Sequence, residues 1–204
     1  MFKKTMLAVS VAVMAMGSVS VMAEDEIPTT PTGTDVGLIT FDGAVTDTTC
    51  KITTNNGVDT NNVTITLPVV KKADLELATI DAGIGSKEFE LHLTDCPTTL
   101  TKASATFTSQ QFADLTNGTL KADPTVSGHA TNVALAMYNN SATKTDRIKV
   151  GQPNNNTQEA GLTAGAGTLA YRVAYVPGST WVKGTNDITA GKVSSNVTFT
   201  MSYQ

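Results

Sequence analysis

An all-β fold follows from three features of the sequence. Apolar residues recur at every second position in several short runs, turn-forming clusters separate those runs, and β-branched threonine is abundant while no long amphipathic helix can be traced. Many short strands with turn signals between them describe a sandwich or a barrel. The chain has 204 residues and 40% hydrophobic content, enough for a core, with only 5% aromatic and 16% charged residues. A formal net charge of -4, from 14 Lys+Arg against 18 Asp+Glu, removes nucleic acid from the expected partners, because phosphate binding needs a concentrated basic surface. Two His and two Cys leave little material for metal or nucleophile chemistry, and no cofactor is expected.

The elements can be justified in chain order. Residues 1–23 read as an export signal: Lys3 and Lys4 give a basic start, Met6 to Met16 is apolar, and Val21-Met22-Ala23 forms the cleavage end. The apolar stretch is short for a transmembrane anchor, and Gly17, Ser18 and Ser20 interrupt it. Glu24 to Thr34 is polar, carries Pro28 and Pro31, and reads as a flexible leader. From Asp35 the pattern changes. Gly37, Ile39, Phe41, Gly43 and Val45 share one face of an extended chain, and residues 24–45 are set apart from a main domain over 46–204. Val63 to Leu67 alternates and ends at Pro68; Phe89 to Thr94 alternates and leads into Cys96. Ala103 to Thr108, Val133 to Tyr138 and Thr168 to Val176 are further strands. In the last run, Val193 to Tyr203, Val197, Phe199, Met201 and Tyr203 point one way and Thr198, Thr200 and Ser202 the other. Ala73 to Ile80 allows one or two helical turns at most.

Candidate chemistry is thin. Asp81 to Lys87 superficially resembles a phosphate loop, but it lacks the four-residue gap before Gly-Lys-Ser/Thr, and a strand rather than a helix follows. Gly165-Ala166-Gly167 reads as a loop. His92 falls on the strand face opposite Phe89, Leu91 and Leu93, where a solvent-facing histidine is expected, and His129 follows Ser127-Gly128 in a loop. No Gly-x-Ser-x-Gly elbow occurs. Glu88 and Glu90 share a solvated strand face. Cys50 and Cys96 form an even pair in an exported chain and read as one disulfide closing a separation of 46 residues, with two buried free thiols as the alternative. The order Cys50, His92, Cys96, His129 has no zinc-finger spacing.

Four stretches together resemble the major pilins of type 1 and P fimbriae, assembled by the chaperone–usher route. They are GLITFDGAVTDTTC at Gly37 to Cys50, FELHLTDCP at Phe89 to Pro97, TLAYRVAYVPG at Thr168 to Gly178 with ITAGKV following at Ile188 to Val193, and the terminus NVTFTMSYQ with Tyr203 penultimate. The resemblance implies an incomplete immunoglobulin-like β-sandwich completed by donor-strand complementation, in which a neighbour's N-terminal segment adds the missing strand. Ile39 and Phe41 would then be pocket-filling donors, with Gly37, Gly43 and Val45 continuing their face. Val197, Phe199, Met201 and Tyr203 would line the acceptor groove, and the carboxylate of Gln204 would meet a chaperone. The implied partners are copies of the chain itself, a periplasmic pilus chaperone, an outer-membrane usher and other pilins of the same fimbria. The implied role is a non-enzymatic pilus-rod subunit on the bacterial surface that supports adhesion. The competing readings are a minor or adaptor pilin or small adhesin of the same fold, and a periplasmic enzyme or sugar-binding module on a β-sandwich.

Overall fold

A computed structural model describes residues 49–54 and 63–204. Ten strands and one helical turn run through them. They are β1 (Lys51–Thr54), α1 (Lys72–Leu75), β2 (Ile84–Thr94), β3 (Lys102–Thr108), β4 (Ala113–Asp114), β5 (Thr119–Lys121), β6 (Val133–Asn139), β7 (Arg147–Ile148), β8 (Glu159–Gly161), β9 (Gly167–Pro177) and β10 (Thr198–Tyr203). The first sheet has the order β1-β2-β9-β6-β5-β4, with β7 also paired to β6, and the second has the order β10-β3-β8. Every ladder between these strands is antiparallel.

The period-2 pattern explains how the sheets face one another. Phe89, Leu91 and Leu93 of β2, Leu169, Tyr171 and Val173 of β9, and Ala103, Ala105 and Phe107 of β3 all enter one core. Tyr171 is its hub. Its ring lies 5.5 Å from Phe89 in its own sheet and 5.0 Å, edge-on, from Phe107 in the opposite sheet. Ring pairs in this range attract beyond the area they bury. Burial pushes the Tyr171 phenol well above its ordinary range.

The first sheet is covered on its other face as well. Ala134, Ala136, Tyr138, Ala174 and Val176 form a second buried cluster under Ile80. Their small side chains let the segment after α1 cross the sheet closely. Gly83 sits at φ +63°, and a Cβ there would lie 2.6 Å from that of Ala174. Asp81 to Gly83 is therefore a turn that lies on the sheet, and the strand beyond it starts at Ile84, with a register irregularity before Lys87. The Tyr138 hydroxyl donates to the Ile80 carbonyl at 2.7 Å, and the Arg172 guanidinium stacks 3.7 Å above the Tyr138 ring.

Two expected strands differ in part from the observed structure. Val63 to Leu67 alternates between half-buried and exposed side chains, as the sequence predicts, but has no ladder partner among the described residues. Val193 to Val197 keeps the same alternation, yet ladder pairing begins only at Thr198. In both places the apolar face is set by the sequence, while the backbone partner that would make a strand is missing among the described residues. The helix is shorter than two turns, since α1 spans Lys72–Leu75 alone.

Candidate functional site: an open groove beside the last strand

The two unpaired stretches flank one feature. A cavity of about 810 Å³ opens between Val63, Ile65 and Leu67 on one side and Ser195 to Met201 on the other. Its floor is the core itself, with Phe89 and Leu91 of β2, Phe107 of β3, Leu135 and Met137 of β6 and Val173 of β9. β10 pairs with β3 through Phe199↔Phe107 and Met201↔Ala105, and has no ladder partner along its other edge among the described residues. Unpaired backbone next to an uncovered apolar floor is a template for adding a strand.

The predicted groove residues are brought together here. Val197, Phe199 and Met201 line the cavity. Tyr203 continues their face, half-buried against the core, but lies beyond the cavity lining; burial raises its phenol pKa. Gln204 is exposed, and its main-chain oxygen accepts hydrogen bonds from Thr101 N–H at 2.6 Å and Lys102 N–H at 3.0 Å. The C-terminus is thus tied to the start of β3. The predicted donor residues Gly37, Ile39, Phe41, Gly43 and Val45 lie outside the described residues, as do residues 1–23.

Cys50 and Cys96 are joined in a disulfide. It lies beside the β1–β2 ladder, where Lys51 pairs with Thr94. The bond also borders the turn before β9: Gly165, at φ +74°, accepts the Cys96 N–H on its carbonyl at 3.0 Å, and a Cβ there would sit 2.8 Å from the Cys96 carbonyl.

The histidines stand where their faces put them. His92 is part-exposed, with Nε2 3.2 Å from Glu90 and Nδ1 3.2 Å from the Thr168 hydroxyl. His129 sits in a turn with its ring nitrogen 3.2 Å from the Val126 carbonyl. The two do not converge on a nucleophile. Among the described residues no group of three or more His, Cys, Asp or Glu could hold a metal ion.

Four groove-lining residues and one structural support of β3 were not read from sequence as such. Val63, Ile65 and Leu67 were legible as an alternating run, but nothing in one chain pattern says that the run borders an opening. Ser195 lines the groove with a buried hydroxyl that has no hydrogen-bond partner. Its place on the Val193–Tyr203 face was the available signal. Asn155 is buried and replaces a strand partner for β3. Its side chain accepts from Phe107 N–H at 2.8 Å and donates to Phe107 C=O at 2.9 Å and Lys149 C=O at 2.7 Å.

Among the described residues, fold and site together define a structural β-sandwich domain with an apolar groove open beside an edge strand. The fimbrial protein family matches residues 39–204. The chain is 33% identical over 201 residues to the laminin-binding fimbrial subunit ElfA of Escherichia coli O157:H7, covering 98% of this chain and 99% of that protein. It is 32% identical over 170 residues to the major fimbrial subunit SMF-1 of Stenotrophomonas maltophilia, covering 82% and 92%. Among solved structures, the P pilus rod subunit PapA superposes with a TM-score of 0.51 at 17% identity, covering 77% of this chain and all of that one, which bears on the fold alone. This chain belongs to the fimbrial protein family. It is a non-enzymatic structural subunit of a fimbria, exported to the cell surface, where it polymerises with other subunits.

Proposed function

We propose that the groove receives residues Gly37 to Val45 of a second copy, so that the chain polymerises head to tail by donor-strand exchange into the rod of the fimbria. One observation carries this reading: an apolar cavity of about 810 Å³ whose floor is the core, next to a strand edge unpaired among the described residues. A donor strand supplies ladder hydrogen bonds to β10 and alternate side chains to the cavity. Burying Ile39 and Phe41 there contributes roughly 1.5–3 kcal/mol each. Because the contact joins two different surfaces and does not close, it extends into a filament. The similarity to a major fimbrial subunit supports the rod role over that of a minor or adaptor pilin.

Several parts of the assembly route follow from the same reading. Residues 1–23 direct export and are removed, and residues 24–45 form the leader and donor extension of the 46–204 domain. Before polymerisation a periplasmic pilus chaperone covers the groove and engages the Gln204 carboxylate. An outer-membrane usher then passes the subunits outward. Deleting Glu24 to Asp42 tests the proposal, with a chaperone-bound monomer that fails to extend a fibre as the expected result. Fibres of normal length from that truncation, seen by electron microscopy, would refute it.

A further inference from the structure

Three of the four large hydrophobic side chains that stand most exposed among the described residues lie on two neighbouring stretches: Val69, Leu77 and Val182, at 100%, 83% and 55% exposure. Val69 follows groove-lining Leu67 by two residues, and Leu77 follows α1. Glu76, next to Leu77, is ion-paired at 3.7 Å with Lys183, next to Val182, and Leu75 and Trp181 share one small cluster, which brings the two stretches to the same end of the sandwich. Beneath this end lies the small cluster of Leu75, Ala130, Val133 and Ile188, against which Trp181 packs with its indole N–H buried and unpaired. Val193 packs against both this cluster and the main core, so the end surface runs into the groove at its Ser195 end.

We infer that this end surface seats the folded domain of the copy that donates its strand. The inference rests on the donor-strand reading above. Direction comes first. Every strand ladder here is antiparallel, the slightly more stable pairing, so a donor lying antiparallel to β10 begins at the Tyr203 end and leaves at the Ser195 end. Reach comes second. Gly37 to Val45 and Ser195 to Tyr203 are equal in length, so the donor's Val45 ends near Ser195. The six residues from Val45 to Lys51 extend at most roughly 20 Å. The donor's own domain is therefore held next to the end that carries Leu77 and Val182. There its surface around Lys51 and Asp95, which form an exposed ion pair at 3.3 Å, faces the apolar patch. The patch on one copy and the Lys51 end of the next make a heterologous contact that repeats along the filament.

The test uses filaments of the full chain with a benzophenone photo-crosslinking amino acid in place of Leu77 or, separately, of Phe41. Adducts are mapped by mass spectrometry. The Leu77 probe is expected to join two copies through peptides that flank Cys50 or Cys96, and the Phe41 probe to join two copies through groove residues such as Phe199. Leu77 adducts confined to their own chain, alongside Phe41 adducts in the groove of another copy, overturn the end-surface seat and leave the groove reading intact. Phe41 adducts that miss the groove overturn the groove reading and this inference with it. A double variant, Leu77→Asp with Val182→Asp, supplies a second measurement. Both positions are exposed, so its melting temperature before assembly is expected to match the parent, while its filaments shorten at least about tenfold. Parent-length filaments from the double variant would also overturn the seat.

Discussion

Strands β6 and β10 come from the same chain and are of similar length, yet they are finished to different degrees. β6 is buried at every position from Val133 to Asn139 and has ladder partners on both sides. β10 alternates exposed and half-buried side chains and has one partner among the described residues. The β6 region completes its burial within the chain. The β10 region keeps Val197, Phe199 and Met201 facing an open cavity. Among the described residues, β6 thus buries its apolar side chains within the chain, while apolar surface beside β10 stays accessible.

That contrast can be broken or sharpened by experiment. The largest expected effect lies outside both strands. Replacing Cys50 and Cys96 by Ser removes a bond across a separation of 46 residues, for which the loop-entropy relation gives about 4 kcal/mol. Guanidinium unfolding of the variant and the parent reads that difference. Next is a matched pair. Leu169→Ala, at a fully buried position of β9, is expected to cost about 3 kcal/mol in the unassembled subunit. Phe199→Ala removes a side chain already half in solvent and should cost less than half as much there, yet it should weaken fibres strongly. Equal losses at the two positions before assembly would erase the distinction between the regions.

A smaller effect is expected at Asn155. Asn155→Ala leaves the Phe107 N–H without its partner, while the Phe107 C=O keeps the Gly151 N–H at 3.0 Å, at a cost of about 1–3 kcal/mol. Hydrogen exchange at the Phe107 amide should rise in step with the drop in denaturation midpoint.

The pH response reads the buried side of the first sheet. Burial pushes the Tyr138 phenol up to about 12, partly offset by the nearby Arg172 and Arg147. The folded state thus holds the neutral form more tightly than the unfolded chain, whose phenols titrate near 10. The contribution is complete below about pH 10 and is lost as pH rises through about 12. Denaturation midpoints should stay level to about pH 9.5 and then fall, and Tyr138→Phe should flatten part of that fall. At the bottom of the scale, His92→Ala breaks two exposed contacts, with Glu90 and with the Thr168 hydroxyl, and should change stability by less than about 1 kcal/mol.

Much of this was legible from alternation alone. The runs at Phe89 to Thr94, Ala103 to Thr108, Val133 to Tyr138 and Thr168 to Val176 became β2, β3, β6 and β9; in β2 and β3 burial of one face leaves a period of two, while β6, buried on both faces, reads as a short continuous apolar run. The short strands β4, β5, β7 and β8 left no such trace, being two or three residues long. The stretch between β6 and β9 was also obscure. There Asn139 and Asn155 hold the chain by side-chain bonds to backbone, including Asn139 Nδ2 to the carbonyls of Asp146 and Asn156. Such bonds depend on where the loop passes and obey no sequence period. The parity that placed Val197, Phe199 and Met201 on one face was readable in advance. The opening they face was not.

The amino-acid sequence by itself determined the all-β class, the faces of the long strands and the side of β2 on which His92 would lie, because each is set by neighbours along one chain. Only the tertiary structure decided that Val63 to Leu67 and Ser195 to Met201 would stand apart across a floor of Phe89, Phe107 and Met137. A groove is a relation between segments distant in sequence, and no pattern along either segment encodes it.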